Sequence, residues 1–170
     1  MISPTRGIRN NNPGNIKFSN TQWQGKVPKA KNTDPGKVFE QFETMEHGIR
    51  AMLKLLSTYI TRHKLTTVKD IVDRYAPPGG ENDPTAQSNY VTYVMNESGL
   101  DQDVSVEDIP KLAYPMIEFE NGQNPSAAYV LPFYKKGVEM AGLKWGGKKK
   151  SIPVLFMAAL GLLSYQLLKK

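Results

Sequence analysis

Apolar residues recur at helical spacing through most of the middle of the chain. Ile49, Met52, Leu53, Leu56, Tyr59 and Ile60 keep a period near 3.6, which predicts a helix from about Met45 to Arg62, capped by Thr44. Thr67 with Asp70 opens a second helix, carrying Val68, Ile71 and Val72 to about Tyr75. The breaker run Ala76-Pro77-Pro78-Gly79-Gly80 stops it. Asp83-Pro84 starts a third helix, about 84–97, with Tyr90, Val91, Val94 and Met95 inward. Ser105 and Asp108 open a fourth, with Ile109, Leu112, Met116 and Ile117 in phase. Pro110 falls in its first turn, Pro115 is expected to kink it, and Asn121-Gly122 ends it. A last helix, about 127–141, carries Tyr129, Val130, Phe133 and Val138.

The first 37 residues read differently. They are turn-rich, and Asn10-Asn11-Asn12-Pro13-Gly14-Asn15 is a dense breaker cluster in which no regular element is expected. Val38–Phe42 reads as one short strand or an extended segment. The soluble part, 1–142, is therefore expected to be one small, mainly α domain.

Beyond it the pattern changes again. Ile152–Leu168 holds no charge and shows no polar stripe at helical spacing. As a helix its 17 residues would extend ~25 Å. That predicts a C-terminal transmembrane helix, 152–168, flanked by lysines that reach the headgroups. Residues 143–151 read as a basic, Gly-containing linker in which Trp145 suits a membrane interface. The N-terminus has no apolar run, so no secretory signal is expected there.

Charge supports this division. The net charge is +6, but residues 1–142 carry 16 basic and 16 acidic residues. The whole excess lies in Lys144, Lys148, Lys149, Lys150, Lys169 and Lys170. A nucleic-acid-binding face would not be distributed this way, so a lipid membrane is the expected partner of the tail and nucleic acid is not expected. With no Cys there is no thiol nucleophile and no disulfide framework. His47 and His63 lack the i, i+4 spacing of a metal pair, so no metal or other cofactor is expected. Nucleophile-elbow, phosphate-loop and dinucleotide motifs are absent as well.

The chemistry that remains is carboxylate chemistry. Glu120 falls in the last turn of a helix, beside its apolar face. An apolar wall and the negative helix end both disfavour a carboxylate, and a carboxyl kept protonated can donate to a glycosidic oxygen. Glu81, in a loop before a helix, and Glu46, in the first turn of the long helix, are weaker candidates. The Asn- and Gln-rich loops, with Trp23 and Tyr90, suit a sugar: ring faces stack on aromatics while amides bond hydroxyl and acetamido groups.

The stretch Arg6-Gly-Ile-Arg-Asn-Asn-Asn-Pro-Gly-Asn-Ile16 resembles the opening of a phage-encoded, lysozyme-like family of virion proteins. Trp23-Gln-Gly25, Phe39-Glu-Gln-Phe42, Gly48–Met52, Tyr75–Pro78, Glu81-Asn82 and Glu120-Asn-Gly122 follow in the same order, so the likeness covers nearly all of 6–142. Met116–Pro125 is also similar to the helix-ending segment around the catalytic glutamate of lytic transglycosylases. The chain departs from that pattern in placing its Gly-containing loop about a hundred residues before the glutamate, and in having Asn121 after it. A circularly permuted lysozyme-like fold would reconcile the order. The resemblance implies an enzyme, a lytic transglycosylase or muramidase that opens host peptidoglycan during genome delivery. Glu120 would be its acid, with Glu81 or Glu46 in support and Asn12, Asn15, Trp23, Asn82, Tyr90 and Asn121 on the glycan. It also implies a place on the internal membrane of the virion, beside other virion or capsid proteins. The alternative expectation is a non-catalytic virion membrane protein that binds glycan or ties the capsid to that membrane.

Overall fold

A computed structural model describes residues 4–78, 84–122 and 126–145. Its helices are α1 (Arg6–Arg9), α2 (Met45–Thr61), α3 (Val68–Tyr75), α4 (Pro84–Ser98), α5 (Ile109–Glu120) and α6 (Ser126–Met140). Three short 3-10 turns, Lys29–Lys31, Pro35–Lys37 and Val106–Asp108, complete the regular structure. The helices from α2 onward fall where the apolar periodicity predicts them.

α2 is the central element. Ile49, Met52, Leu53 and Leu56 on its inward face are fully buried, because the 3.6-residue period stacks them in one stripe. α5 and α6 pack on that stripe through Leu112, Met116 and Ile117 and through Val130 and Val138. α4 lies between α3 and α5. Local chemistry starts each helix where it must. Thr44 accepts from His47 N–H, and Thr67 accepts from Asp70 N–H at 3.0 Å. The Asp108 carboxylate receives both Ser105 N–H and Ser105 O–H, at 3.0 and 2.7 Å. Arg50 of α2 donates to Met140 O at 3.2 Å, setting a cation at the negative end of α6.

α5 includes Pro115, which is buried in the core. One expectation changes in detail. Trp145, expected in the linker, lies edge-on to the buried Tyr134 with ring centroids 5.1 Å apart.

The expected fold class needs a larger correction. Its mainly helical part stands, but no helix among the described residues is long and apolar enough to cross a membrane. The longest, α2, is amphipathic: its 17 residues include the charged Glu46, Arg50 and Lys54. Segment 152–168 itself lies outside the described residues, as does 146–151 of the linker.

The N-terminal third folds by a different rule. It has few apolar residues to bury, and asparagine amides replace the missing sheet. Asn10 donates to Asp34 at 2.8 Å, Asn11 to Phe42 O at 3.0 Å, and Asn32 to Phe39 O at 2.8 Å. Asn12 is fully buried, donates to Ile16 O and Glu40 O, and accepts from Ile16 N–H, each at 3.0 Å. Of the expected segment Val38–Phe42, Val38 is still helical in backbone (φ −81°, ψ −26°), and Phe39 and Phe42 make only isolated antiparallel bridges, to Lys17 and Lys26. α1 was not expected; it is a single turn.

This loop lattice meets α2 at Gly48. A Cβ there would overlap the carbonyl of Asn11, a backbone atom held in place by its neighbours. Gly48→Ala is therefore expected to destabilise the protein by about 2 kcal/mol, lowering Tm by roughly 5 °C or more in thermal unfolding.

Candidate active site

Glu120 is the last residue of α5, and the asparagine loop closes over that helix end. Asn15 holds a left-handed backbone (φ 48°), a conformation asparagine tolerates better than most residues. The turn aims its Nδ2 at Glu120, where it donates to Oε2 at 3.1 Å and to the backbone carbonyl at 3.2 Å. From the other side, α4 brings Tyr90, whose hydroxyl donates to Glu120 Oε1 at 3.1 Å. The Tyr90 ring stacks on Phe119 with centroids 4.1 Å apart. α3 adds Tyr75, whose hydroxyl donates to the Gly14 carbonyl. Gly14 packs closely here: a Cβ would run into that hydroxyl and into Met52, so both side chains would have to shift.

Asn121 ties the loop to the helix. It is buried, donates to Pro13 O at 2.7 Å and Ile117 O at 2.9 Å, and accepts from Thr5 Oγ1 at 2.7 Å. Residues at the two ends of the domain thus meet at one point.

The electrostatics follow from this packing. Burial among rings and loop raises the Glu120 carboxyl above its ordinary range, against the opposing hydrogen bonds from Asn15 and Tyr90. Burial first, then the Glu120 charge, pushes the Tyr75 and Tyr90 hydroxyls well above theirs. Both tyrosines therefore stay neutral donors beside it. Glu120 as a residue is half-buried rather than fully enclosed.

The other expected site residues are distributed as follows. Asn12 and Asn121 have their amides engaged inside the fold and support the loop from behind. Glu46 stands in the first turn of α2, and no hydrogen bond joins it to Glu120. Trp23 is half-buried in a separate hollow near Phe18, Lys26 and Lys29. Glu81 and Asn82 lie outside the described residues. No group of residues suited to a metal ion occurs among the described residues.

The sequence reading overlooked Glu118. Burial also raises its carboxyl, and Tyr93 donates to it at 3.2 Å. Its signal was position alone: two residues before Glu120, it takes a different direction around the helix and faces α4 through Tyr93. The holding role of Tyr75 was equally hidden, because it depends on where α3 lies.

No family model matches the chain. Protein P5 of Pseudoalteromonas phage PM2 is 39% identical over 146 residues, covering 83% of this chain and 81% of that protein. The chain belongs to the family of that phage protein. The family is therefore a bacteriophage one, and the shared stretch is long enough to take in most of the helical domain.

The raised Glu120 carboxyl has a consequence for stability. A carboxyl raised by folding favours the folded state when protonated. That advantage is fully present below the unfolded value, near 4.5, and is lost as pH rises through the folded value. Glu120→Gln, which cannot ionise, should melt at or above the wild-type temperature at pH 7. The difference should shrink by pH 4. A variant less stable than wild type at pH 7, but matching it at pH 4, would contradict this account of the site.

Proposed function

We propose that this protein is a virion-borne enzyme that cleaves the glycan strands of peptidoglycan, with Glu120 as its acid and then its base. The observation that carries the reading is the raised Glu120 carboxyl, held by Asn15 and Tyr90 at the mouth of a loop that includes Asn12-Pro13-Gly14-Asn15. The bacteriophage family and the motif resemblance across 6–142 support peptidoglycan as the substrate.

The chemistry needs one carboxyl. Protonated Glu120 donates to the glycosidic oxygen as the C1–O bond breaks, leaving positive charge on the sugar ring and a carboxylate on the protein. The sugar's own 6-hydroxyl then attacks C1, and Glu120 takes its proton. The acid is restored, and the product carries a 1,6-anhydro ring. An inverting hydrolase would need a second carboxylate across the cleft to activate water. Transglycosylation is the simpler fit to a single clamped glutamate.

The clamp suits both protonation states. Tyr90 O–H has two acceptors in reach, Glu120 Oε1 at 3.1 Å and Met116 O at 3.5 Å. It can serve the carboxylate, then turn toward the backbone when Oε1 carries the proton. Asn15 favours the ionised state, so it limits how far burial raises the carboxyl.

The test is release of soluble muropeptides from purified sacculi, read by mass spectrometry. Wild type should release anhydro-muropeptides, and Glu120→Gln should lose at least about 100-fold in rate. Wild-type rates from folded Glu120→Gln would overturn the assignment. Binding of sacculi by wild type without release would leave a non-catalytic glycan-binding protein instead.

Asn15→Ala offers an independent check. Removing a donor that favours the carboxylate should move the alkaline limb of the pH–rate profile to higher pH, because the acid then stays protonated longer.

A further inference from the structure

A second hollow lies between the asparagine loop and the first 3-10 turn, with a volume of about 310 Å³. Phe18 and Trp23 supply aromatic wall, Asn20 and Gln22 exposed amides, and Lys26 and Lys29 cations. It shares no lining residue with the surroundings of Glu120. The two are nonetheless neighbours along the chain: Phe18 follows Asn15 by three residues, at most about 11 Å of extended backbone.

The two lysines differ. Lys26 is committed to the fold: its Nζ meets Glu40 at 2.9 Å and donates to Ser19 O and Thr21 O, and the Glu40 side chain is wholly buried. Its charge is thereby matched. Lys29 is exposed and has no carboxylate partner; its Nζ stands 5.2 Å from the Phe18 ring centroid. The hollow therefore carries one unmatched positive charge. The Trp23 indole N–H is covered and has no acceptor, which is a costly state for a buried donor. Covered as it is, that N–H takes no ligand, and what Trp23 offers the hollow is its ring.

We propose that this hollow is a second binding site, for a saccharide unit that carries a carboxylate on its substituent. The pyranose face would lie against the Trp23 wall, the exposed amides of Asn20 and Gln22 would meet its hydroxyl and acetamido groups, and the carboxylate would meet Lys29. In peptidoglycan this is a muramyl unit with its acidic peptide. The assignment of substrate rests on the proposed function, with the hollow holding the strand while Glu120 acts on a bond next to it. It gives the protein a preference for acidic over neutral N-acetylated glycan that the single carboxyl at Glu120 cannot supply.

The experiment is a titration of ¹⁵N-labelled full-length protein, following the two tryptophan indole N–H signals, with Trp23→Phe assigning the Trp23 signal. The probes are muramyl dipeptide, neutral chitotetraose and the free dipeptide. Muramyl dipeptide should shift the Trp23 signal, and Lys29→Glu should weaken its binding about fivefold or more, the scale of one exposed charge pair. Lys29→Glu should leave chitotetraose binding unchanged. An unmoved Trp23 signal, or muramyl dipeptide binding indifferent to Lys29→Glu, would overturn the proposal. Equal binding of the free dipeptide would overturn the role given to the sugar ring. Because the readout is binding, the proposal can fail while cleavage at Glu120 stands, and the reverse.

Discussion

One buried amide, that of Asn121, holds the candidate site together. It donates to Pro13 and Ile117 and accepts from Thr5, so the N-terminal loop is fastened to the end of α5 by a residue 108 positions away from Pro13. With Tyr75 on Gly14 and Asn12 on Ile16 and Glu40, that fastening sets the place from which Asn15 reaches Glu120. A buried polar group is expensive to leave unmet, and the same expense makes a fully met one specific. In the arrangement that presents Glu120, Asn121 meets all three of these partners.

The loop it fastens is an unusual structural material. Between residues 10 and 43 the chain has too few apolar side chains to bury and too many breakers to form a sheet. Asn11, Asn12 and Asn32 instead donate to backbone carbonyls that a sheet would have paired, and Asn10 donates to the Asp34 carboxylate. The result is a polar platform lying against α2, close enough that Gly48 has no room for a Cβ. A rigid loop of this kind can offer amides to a ligand without reordering, which limits the entropy lost on binding.

The helical layer supplies the opposite environment. α4 brings Tyr90 to the same carboxyl that the loop reaches through Asn15, while α3 sets the Tyr75 hydroxyl on the Gly14 carbonyl of that loop. Aromatic burial raises Glu120 while two neutral donors hold it in position. Glu118, two residues earlier on α5, shares the burial but not the loop, and is bonded to Tyr93 alone. The difference between the two carboxyls is made by which layer each one faces.

Much of this was legible beforehand. Apolar period and capping residues gave α2, α3, α4 and α6 to within a residue or two, and placed the start of α5 at the 3-10 turn that leads into it, since local spacing decides which face a helix buries. Glu120 could be read as a candidate from its place at a helix end beside Ile117. Asn15 and Tyr90 could be named as polar and aromatic partners of a ligand, but not as the two donors on Glu120. Asn12 and Asn121 show the limit most plainly. An amide looks the same in sequence whether it bonds a sugar or a carbonyl in its own fold, and only the approach of Ile16, Glu40, Pro13 and Thr5 determined that these two are occupied. Sequence by itself determined the helices and the residue types able to do acid chemistry, because both depend on near neighbours. Tertiary structure alone decided which of those residues meet, because contacts across 105 and 116 positions depend on how the helices and the loop pack.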